Sequence, residues 1–196
     1  RKKMLSYEES LKILRETKAL IEGHFILSSG LHSSKYIQCA QLMSKPKFAF
    51  KFCNSLAEKI NKAIPDFDLI LSPAMGGIIV GYEIGKILNK ETIFSERVNN
   101  SFELRRNFKI QKNLKVLIVE DVITTGKSSL ECSELIKKFD AVIAGYACLI
   151  DRSKGSSLIK ENIISQVKID IPTYNQNELP HELKKIKAIK PGSRSL

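Results

Sequence analysis

Three stretches of this chain are apolar without alternation: "DLILSP" at 68–73, "KVLIVED" at 115–121 and "AVIAGYACLIDR" at 141–152. A strand with one wet face alternates apolar and polar residues. A strand that is apolar at nearly every position must be covered on both faces. Helical segments lie between these strands. One starts at Pro46, which suits a first helical turn, and runs to about Ile64, with Phe48, Phe52, Leu56 and Ile60 recurring every four residues. Another runs from Lys127 to Phe139. "ETIFSE" (91–96) and "IISQVKI" (163–169) read as further strands. Strands alternating with helices define an α/β fold, a mostly parallel sheet flanked by helices.

The remaining segments are less regular. Ser6 and Glu9 form a capping-box pattern, followed by Leu11, Leu14 and Ile21 as the apolar face of a helix. In "GHFILSSGLHSSKYI" (23–37) a short apolar run reaches a turn at Ser28, Ser29 and Gly30, and Tyr36-Ile37 resumes an extended pattern. Gly77, Gly81 and Gly85 share one helix face, which lets another backbone approach closely. Residues 97–113 read as a polar, basic loop with a hairpin tip at 102–106, and 180–192 as a basic, helical tail.

At 196 residues the chain fits one domain. Its net charge is +11, but the lysines are spread along the sequence, and no aromatic nucleic-acid motif or zinc finger is present. No nucleic-acid partner is expected. Neither is a membrane partner, since no apolar run approaches the roughly 18–20 residues needed to span one. The basic start is not followed by the apolar region of a signal peptide. The four cysteines are irregularly spaced, as expected of reduced thiols in the cytoplasm, and the three histidines make no metal-ligand spacing.

The chemistry concentrates in "VEDVITTGKSSLE" (119–131). Gly126-Lys127-Ser128 looks like the end of a triphosphate-binding P-loop, G-x-x-x-x-G-K-[ST], but Asp121 stands where the leading glycine belongs. A carboxylate there would repel a triphosphate. The segment instead joins the end of a buried strand to the start of a helix, where open parallel sheets bind ligands. Thr124, Thr125, Gly126, Lys127 and Ser128 offer hydroxyls and backbone N–H groups suited to a phosphate monoester. Glu120 and Asp121 can accept hydrogen bonds from sugar hydroxyls, and are candidates to help hold Mg²⁺ directly or through water. Together they make a cradle for a ribose 5-phosphate.

This stretch resembles the phosphoribosyl-diphosphate (PRPP) motif of type I phosphoribosyltransferases. "HFILSSGLHSSKYIQCA" (24–40) and "LIDRSKG" (149–155) resemble segments of the orotate branch, as do "VKIDIPTYN" (167–175) and "KPGSR" (190–194). The resemblance implies Mg²⁺-dependent transfer of phosphoribosyl from PRPP to orotate, giving orotidine 5′-monophosphate and pyrophosphate in pyrimidine synthesis. It implies one domain over 1–196, with 1–45 and the C-terminal tail forming a hood over the base, and a homodimer. Glu120 and Asp121 would hold the ribose hydroxyls, Val122 and Ile123 would continue the PRPP motif, and Thr124 to Ser128 would bind the 5′-phosphate. Ala74, Met75, Gly76 and Gly77 would form the pyrophosphate loop. Arg152 would pair with orotate, with Thr124 near it, and Ser28, Ser29, Gly30, Tyr36 and Ile37 would frame the base.

The mobile-loop lysines and histidine common in the family are absent. Arg97 stands nearest the first lysine, followed by Asn99, Asn100 and the pair Arg105-Arg106. Arg97, Arg105 and Arg106 are therefore assigned to neutralising the diphosphate, reaching a neighbouring subunit's site, and Asp121 is counted with them as catalytic, its carboxylate near the sugar stabilising positive charge on the ribose. Rival readings are a phosphoribosyltransferase for another base and a non-catalytic PRPP-sensing regulator on the same fold.

Overall fold

The structure, a computed structural model, describes residues 4–191. Ser6 Oγ accepts from Glu9 N at 3.2 Å and Glu9 Oε2 accepts from Ser6 N at 2.7 Å. This capping box opens α1 (Tyr7–Glu16). The helix stops earlier than its apolar spacing implied. Thr17 Oγ1 donates back to Ile13 O at 2.8 Å, and Lys18 takes a left-handed conformation at φ 61. Ile21 consequently lies in β1 (Leu20–Ile26) and not on the helix.

Strand β1 pairs antiparallel with β2 (His32–Ile37) across the predicted turn. Gly30 supplies the positive φ, 83, that the turn requires. Helices α2 (Cys39–Met43) and α3 (Pro46–Ala63) lead to β3 (Leu69–Pro73), α4 (Gly76–Leu88) and β4 (Glu91–Val98). What read as a loop from Arg97 is a hairpin. Asn99 and Asn100, both at positive φ, turn β4 into the antiparallel β5 (Ser101–Leu104). The tip is therefore at 99–100, not at 102–106, because asparagine tolerates the left-handed region that a two-residue turn requires. The chain continues through β6 (Lys115–Ile123), α5 (Lys127–Lys138), β7 (Val142–Asp151) and β8 (Ile163–Lys168). Strand β9 (Thr173–Tyr174) then joins β2 to complete a small three-stranded sheet.

The expected helical tail is mostly extended. Only α6 (His181–Lys184) forms, after which Ile189 bonds both ways to β1, through Ile26 N and His24 O, each at 2.9 Å. Buried imidazoles reinforce this seam. His24 Nδ1–H donates to Ile186 O at 2.8 Å, and His24 Nε2 lies 2.7 Å from His32 Nδ1. The part of "KPGSR" beyond Pro191 lies outside the described residues.

The large sheet has the order β5-β4-β3-β6-β7-β8, and every pairing except β4–β5 is parallel. The central strands β3, β6 and β7 are apolar without alternation because alternate residues enter two different cores. Ile70, Leu117, Val119 and Leu149 pack with α1, α3 and α4 on one face. Leu71, Val116, Ile118 and Cys148 pack with α5 on the other. The glycine face of α4 lies against this sheet. A Cβ on Gly81 would strike Ser72, and one on Gly85 would come within 2.8 Å of Lys90 O.

Candidate active site

Every segment assigned to ligand binding on the large sheet leaves a strand at its C-terminal end: 74–77 after β3, 121–128 at the end of β6, and Arg152 after β7. Parallel strands place those ends on one edge. Backbone bonds draw the loops together, with Arg152 N donating to Ile123 O at 2.9 Å and Leu158 N to Thr125 O at 2.8 Å.

A cavity of about 160 Å³ opens at the start of α5, lined by Glu120, Val122, Ile123, Thr124, Thr125, Gly126, Lys127, Ser128 and Ser129. Gly126 is the helix N-cap, at φ 83, and makes no side-chain cap. Lys127 N donates to Thr125 Oγ1 at 3.3 Å, and the next N–H groups of α5, those of Ser128 and Ser129, lie at the positive end of the helix dipole beside the cavity. Thr124, Thr125 and Lys127 are exposed, so Lys127 faces solvent and does not grip a ligand from within. Sequence reading stopped at Ser128 and missed Ser129, which is buried yet lines the same cavity.

The glycine loop abuts the acids. A Cβ built on Gly76 would collide with the Asp121 carboxylate, and one on Gly77 would stand 3.3 Å from Val119 O. Glycine at 76 is thus what lets the loop lie directly over Asp121. Met75 is 84% exposed at the loop's tip.

Glu120 and Asp121 are not equivalent. Glu120 is buried, and desolvation, reinforced by the neighbouring Asp121, pushes its pKa up to about 9. At neutral pH the free protein therefore keeps a proton on Glu120, as expected when two adjacent carboxyls share a dry site. Asp121 is half-buried and accepts from Val122 N at 2.8 Å. Because the folded protein binds this proton more tightly than the unfolded chain, stability falls as pH rises from 4.5 to about 9. Glu120→Gln removes the titration. Its melting temperature is expected to exceed the wild type's by roughly 5–10 °C near pH 7, with the gap widening toward pH 9 and closing below pH 4.5. Thermal melts across pH 4–9 check this, and a gap independent of pH would refute it.

Arg152 is half-buried, and desolvation lowers its pKa, with the Tyr36 phenol acting in the opposite sense. Among the described residues no carboxylate pairs with its guanidinium. Tyr36 also packs on Phe25, with ring centroids 5.9 Å apart. Ile37, one residue on, points the other way into the core and offers the base no side chain. Ser28, Ser29 and Gly30 occupy the exposed turn at the end of the small sheet.

The three arginines differ. Arg97 donates to Glu131 Oε2 at 2.7 Å and to Asn100 O at 2.9 Å, and stacks 4.2 Å above Phe102. Arg106 makes a fork to both oxygens of Glu96, at 2.8 and 2.9 Å. Arg105 is exposed and has no ion-pair partner among the described residues.

Paired acids, a hydroxyl-rich helix start and a glycine loop, all on one edge of a parallel sheet, define an α/β enzyme that handles a phosphorylated sugar, and the phosphoribosyl transferase domain family matches residues 40–184. The chain is 44% identical over 193 residues to an orotate phosphoribosyltransferase of Parvibaculum lavamentivorans, covering 98% of this chain and 100% of that one. It is 43% identical over 193 residues, with the same coverage, to an orotate phosphoribosyltransferase of Maricaulis maris. The orotate phosphoribosyltransferase from Aeropyrum pernix shares the fold at a TM-score of 0.66 and 22% identity, covering 81% of this chain and 93% of its own. The chain belongs to the orotate phosphoribosyltransferases, within the type I phosphoribosyltransferase family.

Proposed function

We propose that the protein transfers the 5-phosphoribosyl group of PRPP to orotate, giving orotidine 5′-monophosphate and pyrophosphate. The observation that carries this reading is Arg152. A half-buried guanidinium with no protein carboxylate is matched by a planar, carboxylate-bearing base, and it sits beside the loops of the sugar-phosphate cradle. The 5′-phosphate docks at the start of α5, the ribose hydroxyls meet Glu120 and Asp121, and the diphosphate lies along Ala74 to Gly77. Orotate nitrogen attacks the anomeric carbon as the bond to pyrophosphate breaks. Positive charge then develops on the ribose ring, and the Asp121 carboxylate stabilises it. No protein nucleophile takes part, and positioning supplies much of the acceleration.

Among the described residues no group of three or more His, Cys, Asp and Glu side chains could hold a metal ion. Asp121, joined by Glu120 only once Glu120 gives up its proton, fits Mg²⁺ as a partial set, to which a bound diphosphate would add oxygens. The ion would neutralise charge on the leaving diphosphate. Of the three arginines, Arg105 is the one free to serve the diphosphate without first breaking an ion pair. The small sheet with the 186–189 segment acts as the hood over the base. Met75 at the N-cap of α4, 84% exposed, and Ile79 and Tyr82 on its outer face, 57% and 65% exposed, form an apolar stripe that fits a homodimer contact beside the site. No described helix is long and apolar enough to cross a membrane, and four free, buried cysteines fit a reducing cytoplasm.

The reading is tested by pyrophosphate release with orotate, uracil or hypoxanthine as acceptor. Turnover is expected with PRPP, Mg²⁺ and orotate, and at least about a hundredfold less with the other two, which lack the carboxylate. Turnover with hypoxanthine alone would favour a purine enzyme. PRPP binding with no turnover would favour a regulator.

A further inference from the structure

We propose that Ser129, the residue after the recognised cradle, is a further phosphate ligand, its hydroxyl and backbone N–H completing the seat for the 5′-phosphate of a phosphorylated ribose. The inference rests on the cradle reading above. Ser129 is the third residue of the 12-residue α5, is only 1% exposed, and lines the cavity with Thr124 to Ser128. Its Oγ has no hydrogen-bond partner among the described residues. A helical serine ordinarily satisfies itself by bonding back to a carbonyl three or four residues earlier. Ser133, one turn later and equally buried, does this, donating to Leu130 O at 2.7 Å.

For Ser129 neither corresponding carbonyl takes the hydroxyl. Gly126 O accepts from Leu130 N at 3.0 Å, and Thr125 O accepts from Leu158 N at 2.8 Å. At Thr125 O the loop after β7 takes both acceptor positions, since Ser157 Oγ also donates to it at 3.5 Å. Such an orphan costs the free protein stability, and a ligand that accepts from it recovers that loss. The ligand must be an acceptor and must suit the positive end of a helix, which describes a phosphate oxygen.

The full-length protein and its Ser129→Ala, Ser129→Cys and Ser133→Ala variants are melted alone, with ribose 5-phosphate, and with PRPP and Mg²⁺. Dissociation constants are measured by calorimetry. Ser129→Ala should melt no lower than wild type without ligand, yet bind both sugar phosphates about tenfold more weakly. Its KM for orotate should stay unchanged. Ser129→Cys, which keeps the volume and weakens the donor, should follow the same order. Ser133→Ala should do the reverse, melting lower with ligand affinity intact. Unchanged sugar-phosphate affinity in both Ser129 variants overturns the assignment, whether the hydroxyl proves structural or merely holds a water. Wild-type binding of ribose 5-phosphate without orotate turnover sinks the transferase reading and leaves Ser129 standing. Failure of wild type to bind either sugar phosphate sinks both.

Discussion

Asp121→Asn is expected to lower kcat/KM by about 10²–10³-fold, mostly through kcat, while the protein stays folded. Asparagine keeps the size of the side chain and an oxygen to accept from Val122 N. It removes only the negative charge. Asp121 is the less buried of the two acids and lies directly under the Gly76 loop, so it is the side chain set against a developing ribosyl cation. Charge that matters in the transition state and little in the ground state appears in kcat and not in PRPP affinity. Initial rates at varied PRPP, with a calorimetric PRPP dissociation constant, separate the two. A loss confined to binding, or one below about threefold, would show that the carboxylate only positions sugar hydroxyls. The packing of Gly76 over this carboxylate explains the adjacency of the two loops. Any side chain at 76 would displace the group on which the charge argument rests.

Much of this arrangement was legible in the sequence because it depends on local rules. The strands at 68–73, 115–121 and 141–152 announced a sheet buried on both faces, since most of their apolar residues enter one core or the other. Gly77, Gly81 and Gly85 announced a close helix–sheet approach, now against Pro73, Ser72 and Thr92. What escaped depends on partners distant in the chain. The tail looked helical by itself, but its carbonyl at Ile186 and its backbone at Ile189 are claimed by His24 and Ile26. Strand β9 is two residues long and exists only because β2 has a free edge. The pairing of Arg97 with Glu131 crosses from β4 to α5, which no local spacing reveals. Ser129 escaped because nothing in "GKSSLE" separates the buried serine from its half-buried neighbour. Its status is set by the loop that occupies Thr125 O.

Arg152→Ala is expected to raise KM for orotate about 100-fold while KM for PRPP stays within about threefold. The guanidinium is partly desolvated and depressed in pKa, so in the free protein its charge lacks a full hydration shell and a carboxylate partner. A ligand carboxylate therefore gains more here than at an exposed arginine, because less water must be stripped from the site on binding. The sugar phosphate is held by other groups at the start of α5, which is why the two Michaelis constants should part. Arg152→Lys keeps the charge but loses the planar fork, and should recover no more than about a tenth of the lost kcat/KM. Tyr36→Phe, which removes only the phenol facing the guanidinium, should cost far less than either. Initial rates followed by the absorbance of orotate, with each substrate varied in turn, decide the matter. Equal increases in both constants would mean that Arg152 supports the loop after β7 as a whole. An unchanged orotate constant would mean that the base is held elsewhere in the hood.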